Sequence, residues 1–307
     1  MKKNSHSQSL YQNEFKNFMH KLIIILCILL WPNLTTAVDI TLSSETLQFG
    51  ETIAITIKSK QRIKTHSITF GKKPFKLFLN NYKNNHYIYV TYVAISRHTK
   101  PGSTYLKIGL TFKNKTKFFK QYNIALEFPD KPKEGKVTLT KKAKSISNNK
   151  LSYQKEGALL SKHFKKITKR RYFDGLFDYP AFGRMSSGFG KLRRYNNGRS
   201  SSHAGVDIAN KKGTPIYAPQ HGKVILSKQL EIHGNTIMID HGYGIISIYC
   251  HLEKRSIKKG KHIKKGTQIG EMGMTGVASG VHLHWGLSVQ NVRVDPLFWT
   301  QESNKEI

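Results

Sequence analysis

The chain predicts an all-β protein of two domains: a small β-sandwich, then a second β-rich domain shaped as a groove with loops on its rim, with a short helix between them. Three observations carry this expectation. Apolar and polar residues alternate at period two from Val38 to about Phe128. Glycines and short apolar runs, with no helix-length period, punctuate residues 180–300. The triplet Leu160, Phe164 and Ile167 falls at i, i+4 and i+7, the spacing of one helix face. At 307 residues the chain is long enough for two cores.

The first element is a leader. Residues 22–31, Leu-Ile-Ile-Ile-Leu-Cys-Ile-Leu-Leu-Trp, form the one strongly apolar run. It is too short to cross a bilayer comfortably but suits the core of a signal peptide, with Lys16, His20 and Lys21 before it and the small residues Thr35-Thr36-Ala37 after it. Residues 1–37 are therefore read as a signal peptide and the mature protein as secreted. An uncleaved anchor is the rival reading, and it would be the chain's one membrane contact. Met19 can itself begin a compact signal peptide, so residues 1–18 are read as lying upstream of the true start. Leu26 before Cys27 is too large for a lipidation site.

The β-sandwich spans residues 38–130. Its strands are marked by Val38, Ile40 and Leu42, by Ile53, Ile55 and Ile57, by Leu106, Ile108, Leu110 and Phe112, and by Tyr122, Ile124, Leu126 and Phe128. Turn residues such as Phe49-Gly50-Glu51 and Lys100-Pro101-Gly102 separate them. No chemical constellation lies in this region.

Residues 131–171 change character. Pro129, Lys131-Pro132 and a Lys-, Ser- and Asn-rich stretch indicate a linker, with one strand at Val137 to Leu139 and the short amphipathic helix around Leu160. The helix carries a basic face of Lys162, Lys165, Lys166, Lys169, Arg170 and Arg171. The whole chain has a formal net charge of +33, which favours polyanionic surfaces. Charge alone fits solvated lysines, an acidic cell-wall polymer or nucleic acid equally well.

Residues 172–307 hold the chemistry. His203 and Asp207 stand at the spacing H-x-x-x-D, His251 in the run Tyr249-Cys250-His251-Leu252, and His282 and His284 at H-x-H. On a strand His282 and His284 share a face and Leu283 takes the other. His203, Asp207 and one histidine of the pair supply two nitrogens and one oxygen, the three-ligand count of a catalytic zinc that keeps its fourth position for water. A closed structural site wants a fourth ligand, usually Cys, and the one cysteine nearby is Cys250. Once a leader is removed, Cys250 has no intrachain disulfide partner. It reads as a small strand residue facing away from His251.

The runs Met185-Ser186-Ser187-Gly188-Phe189-Gly190, His203-Ala204-Gly205-Val206-Asp207-Ile208-Ala209, Lys212-Gly213-Thr214-Pro215-Ile216-Tyr217-Ala218-Pro219, Tyr249-Cys250-His251-Leu252 and His282-Leu283-His284 stand in the order of the lysostaphin and LytM-type zinc endopeptidases, which residues 180–299 resemble. The resemblance implies an antiparallel sheet and barrel-sandwich hybrid, one Zn2+ per chain, His203, Asp207 and His284 as its ligands, and His251 and His282 as catalytic histidines. It implies hydrolysis of peptide cross-links in peptidoglycan, with D-alanyl-diaminopimelate bridges as the preferred bond and no nucleic-acid partner. Residues 38–130 more distantly resemble the immunoglobulin-like domain that precedes the peptidase in some envelope members. Two other classes stay open: a catalytically idle envelope protein that activates a wall amidase, and a basic envelope-binding module.

Lesser expectations follow. His221, His233, His241 and His262 read as surface or turn residues. Tyr195 and Asn196-Asn197-Gly198-Arg199 read as a groove-rim loop, either gripping substrate or simply turning the chain. Thr275 and Ser279 are candidates to orient the ligands from behind.

Overall fold

A computed structural model of the protein describes residues 38–96, 98–128 and 135–300. The leader and its Met19 start lie outside the described residues.

The expected sandwich is present as two sheets. One has four antiparallel strands in the order β1 (Val38–Leu42), β3 (Thr52–Ser59), β7 (His86–Ala94), β6 (Phe78–Lys83). The other has five, in the order β2 (Thr46–Gln48), β9 (Lys117–Glu127), β8 (Gly102–Phe112), β4 (Ile63–Phe70), β5 (Lys73–Phe75), with β2 parallel to β9. Ile53, Ile55 and Ile57 of β3 and Leu106, Ile108, Leu110 and Phe112 of β8 are buried, as period two requires.

The two central strands of the four-stranded sheet, β3 and β7, are buried on both faces, which alternation does not foretell. Ala54 and Thr56 of β3 and Thr91, Tyr92 and Val93 of β7 are all inaccessible. The second face is covered by the C-terminal half. Tyr92 packs on Trp299 and Phe173 at 5.1 and 6.0 Å between ring centroids, and Phe78 stacks on Tyr243 at 4.3 Å. The Gln290 side chain accepts from Lys76 N and donates to Lys76 O and to Thr91 Oγ1. One apolar cluster therefore runs from Ile55 through Tyr92 to Val289 and Trp299.

The linking region differs from the expected short helix. Strand β10 (Gly135–Val137) is followed by two helices, α1 (Lys141–Ser147) and α2 (Lys150–Phe164). Thr140 caps the first by accepting from Ala143 N, and Asn149 caps the second by accepting from Ser152 N. Leu160 and Phe164 are buried as expected, against Ile225, Leu226, Met238, Ile248 and Cys250. Ile167 lies beyond the end of α2 and is partly exposed, so the apolar triplet ran past the helix. The stripe instead extends backwards, at i−4 from Leu160, to a buried Glu156. Its carboxylate accepts from the backbone N–H of Glu231, Ile232 and His233 and from His233 Nδ1.

The C-terminal half is built on one sheet in the order β11 (Arg184–Ser187), β14 (Val206–Ala209), β22 (Leu283–Val289), β18 (Ile245–Leu252), β17 (Asn235–Gly242), β16 (Gly222–Gln229), β20 (His262–Ile263), with β23 (Val292–Val294) beside β22. A small sheet of β15 (Pro215–Tyr217), β21 (Gln268–Glu271) and β19 (Lys254–Arg255) closes one side. Another joins β10 to β12 (Leu192–Tyr195) and β13 (Ser200–Ser202). Between the sheets lies a second core, including Val206, Ile239, Tyr249, Leu283 and Trp285.

Candidate active site

Three neighbouring strands bring distant residues together. In the ladder β14–β22, Asp207 pairs directly with His284, and in β22–β18, His284 pairs with Cys250. Asp207 and His284 thus stand side by side although 77 residues separate them. His203 enters from the turn before β14. That turn is possible because Gly205 lies so close to β22 that a Cβ there would stand 2.3 Å from the Trp285 carbonyl oxygen.

His203 Nε2, Asp207 Oδ1 and His284 Nδ1 form a tight triangle. The separations are 3.0 Å from His203 to Asp207, 2.9 Å from His284 to Asp207 and 2.9 Å between the two imidazole nitrogens. Metal–ligand distances of about 2.0–2.1 Å in a tetrahedral centre put donor atoms about 3.3 Å apart, so the set fits one ion with slight expansion. The donor chemistry agrees. His203 Nδ1 donates to Gly188 O at 2.8 Å, which leaves a lone pair on Nε2 for the cluster. Among the described residues this is the one His/Cys/Asp/Glu group arranged to hold a metal ion.

Burial lowers the His203 imidazole and takes His284 down to about 3, against the opposing pull of Asp207. Both stay neutral and able to ligate near pH 7. Burial alone would raise the Asp207 carboxyl. The hydrogen bonds and charge of His203 and His284 outweigh it and hold the group ionised, well below the carboxylate range.

The other two predicted histidines flank the cluster. His251 and His282 stack at 4.9 Å between ring centroids, His251 lies 6.3 Å from His284, and His282 Nε2 is 3.8 Å from Asp207 Oδ1. Each gives its Nδ1 proton to a backbone carbonyl, His251 to Thr275 at 2.8 Å and His282 to Gly280 at 2.9 Å. A carbonyl only accepts, so in the neutral rings Nε2 is the basic atom of both. Burial, then the neighbouring imidazoles, hold His251 well below its ordinary value.

His251 reaches this position through a backbone irregularity. It lies in β18 with φ of 62°, where a non-glycine residue is rare, and the β17–β18 register shifts between Asn235 and Ile237 opposite it. Its amide N–H is held by His233 O. Cys250, one residue earlier, is buried in the cluster under α2, and burial pushes its thiol up to about 12. Its side chain shares the face of the sheet that carries His284, its partner across the ladder, and the buried, protonated thiol is chemically inert there.

Several side chains depart from expectation. His241 is fully buried, bonded to His221 O and Ser247 Oγ, and His233 is tied to Glu156. His241 is therefore not a surface residue, because its two nitrogens fill a buried polar gap, whereas His233 lies in the turn between β16 and β17, as expected, with its ring tied to Glu156. Thr275 does brace the site from behind, holding His251 through its carbonyl and Asn235 N through Oγ1. Ser279 lines the groove. The 196–199 loop does not present a bare rim. Asn196 exchanges hydrogen bonds with both backbone groups of Leu139, Asn197 donates to Ser147 and Asn148, and Arg199 donates to Ser147 O while covering the Tyr153 ring. The linker, with β10 parallel to β12, thereby becomes one wall of the groove.

Arg193 was not singled out from sequence. Its guanidinium donates to Asp207 Oδ2 and to Ser187 Oγ, occupying the carboxylate oxygen that does not face the histidines. Arg193 and Arg194 are adjacent on a strand, so only one can face the site, and nothing in the sequence says which.

Residues 201–296 match the family model described as Peptidase family M23, and this stretch contains all five predicted site residues. A peptidoglycan DD-endopeptidase of Vibrio cholerae, ShyB, is 36% identical over 118 residues, covering 38% of this chain and 28% of that protein. An uncharacterised metalloprotease of Haemophilus influenzae is 34% identical over 147 residues, covering 47% of this chain and 29% of that protein. The chain spans under a third of the length of these curated relatives. A crystal structure from Pseudomonas aeruginosa, described as an M23 peptidase, superposes with a TM-score of 0.57 at 25% identity, covering 78% of this chain and 89% of that one. That match extends across both halves of the fold.

Proposed function

We propose that this chain, which carries a Peptidase family M23 domain, is a zinc-dependent endopeptidase that hydrolyses peptide cross-links of peptidoglycan in the cell envelope. The observation that carries the reading is the triangle of His203, Asp207 and His284 with two further imidazoles, those of His251 and His282, beside it. The DD-endopeptidase relative supports the D-alanyl-diaminopimelate bridge as the bond. The apolar leader supports export. No helix among the described residues is long and apolar enough to cross a membrane.

His203 Nε2, Asp207 Oδ1 and His284 Nδ1 are the atoms that would hold the metal. Bound there, zinc supplies Lewis acidity, bringing the pKa of water to about 7 and polarising an amide carbonyl. The protein's own groups do the rest. Arg193 fixes Asp207 by its second oxygen, so the carboxylate keeps one orientation. His251 and His282 present basic Nε2 atoms on the groove side: one takes a proton from the attacking water, and an Nε2 that has gained a proton donates to the charge developing on the carbonyl oxygen. We assign the two roles to the pair jointly.

Mass spectrometry of purified sacculi digested with the protein, with and without chelator, tests this reading. Chelator-sensitive release of uncross-linked stem peptides is expected, and intact cross-links after digestion by a zinc-loaded sample would sink it. No observation favours the amidase-activator alternative, since every predicted metal and proton-transfer residue is present and assembled.

A further inference from the structure

The groove holding His251 and His282 is a cavity of about 390 Å³ whose lining carries four cations, Lys136, Arg184, Lys191 and Arg193, and one acid, Asp207. Arg193 is committed to Asp207 and Ser187. The other three have no carboxylate partner among the described residues, and they come from three separate elements. Arg184 begins β11 and pairs across the ladder with Ala209, two residues from Asp207 on the same face of β14. Lys136 belongs to β10 on the linker wall, and Lys191 precedes β12 with its aliphatic end resting over Gly135. Cations lining one concave cleft sum to a positive potential along it. They line the same cavity as His251 and His282.

We propose that Lys136, Arg184 and Lys191 form a carboxylate-binding subsite, which reads a negative charge on the residue flanking the scissile amide. The inference rests on the endopeptidase reading and goes beyond it by naming what the groove recognises. In a D-alanyl-diaminopimelate bridge the carbon bearing the leaving nitrogen also carries a carboxylate. In a glycyl bridge, or where that carboxylate is amidated, the position is neutral. A site built of charged donors favours the substrate that completes them and rejects the analogue that leaves them unpaired. The linker is then part of the specificity apparatus, because it supplies Lys136 and supports Lys191.

The test uses zinc-loaded full chain with His251→Ala, which prevents turnover, titrated calorimetrically with two cross-linked stem-peptide dimers. In one dimer the diaminopimelate carboxylate beside the amide is free, and in the other it is amidated. The free acid is expected to bind about tenfold more tightly, for charge-assisted hydrogen bonds of ordinary strength. Adding Arg184→Gln and Lys136→Gln, both on exposed side chains outside the core, is expected to abolish the preference while leaving the amidated dimer's affinity unchanged. Raising the salt concentration is expected to shrink it as well. Equal affinities for the two dimers, no binding of either, or a preference that survives the double substitution would overturn the subsite. A preference lost on substitution, combined with failure of the unsubstituted protein to cleave either dimer, would keep the subsite and remove the endopeptidase reading instead.

Discussion

The N-terminal sandwich and the C-terminal sheet use the same strand geometry to opposite ends. In the sandwich, β8 and β9 pair without interruption from Gly102 to Thr111, and β3 and β7 pair without interruption from Thr52 to Ser59. Left-handed backbone there falls at turns, on Asn84 and Asn85 between β6 and β7 and on Lys115 between β8 and β9. In the C-terminal half Tyr243, Gln290 and Asn291 likewise sit in turns, but His251 takes a positive φ inside a strand. Regular pairing makes a support, whereas a local break aims a side chain. The cost of that conformation, about 1–3 kcal/mol, is borne because neighbouring bonds from His233 O and Thr275 O hold the residue on both sides.

The comparison breaks most severely if the His203, Asp207 and His284 triangle is dispensable. His203→Ala, Asp207→Ala and His284→Ala are each expected to lose bound zinc and to lower turnover about a thousandfold or more, measured by metal content and muropeptide release. His251→Ala is expected to keep the metal and lose about a hundredfold to ten-thousandfold in kcat. Activity at wild-type levels in His251→Ala would mean that the broken strand serves no chemistry.

The sandwich answers differently. Ile55→Ala is expected to cost about 3 kcal/mol in denaturant unfolding while leaving one zinc per folded chain. Because Tyr92, Phe173 and Trp299 share one core with Ile55, both halves are expected to unfold in a single transition. Two separate transitions would show the halves to be independent.

Acid is expected to weaken the C-terminal half. Burial lowers the His241 imidazole to about 4, whereas in the unfolded chain it takes a proton near 6.5. The unfolded state therefore binds more protons between those values, and stability falls as pH drops through them, by on the order of 3 kcal/mol at pH 4. His241→Gln is expected to flatten that slope in urea titrations at successive pH values. The smallest effect is expected from Glu156→Gln, which weakens the carboxylate's hold on residues 231–233. About 2 kcal/mol of stability should go, together with a modest fall in kcat through the loosened turn behind His251.

The cluster was legible because metal ligation demands few residue types, and H-x-x-x-D and H-x-H put Asp207 opposite His284 on neighbouring strands with His203 in the turn before them. Period two was enough for β8 and β9, which bury one regular apolar face, and for the Ile53, Ile55 and Ile57 face of β3, but not for the burial of the opposite face of β3. What stayed hidden depended on tertiary packing. Glu156 lies on the apolar stripe of α2, yet a carboxylate there reads as solvent-facing unless three backbone N–H groups are known to meet it. Ile167 continued that stripe in sequence although the helix ends at Phe164. Asn196 looked like a turn residue and is one, but its side chain holds Leu139, a contact across 57 residues that no local pattern encodes.

The account depends above all on one ion shared by His203, Asp207 and His284. Zinc-edge X-ray absorption on the purified protein, with parallel metal quantification, measures this directly. The expected result is one zinc per chain with two imidazole nitrogens and one carboxylate oxygen in its coordination, lost together in Asp207→Ala. A protein that stays metal-free in excess zinc, or a zinc signal unchanged by Asp207→Ala, would contradict it.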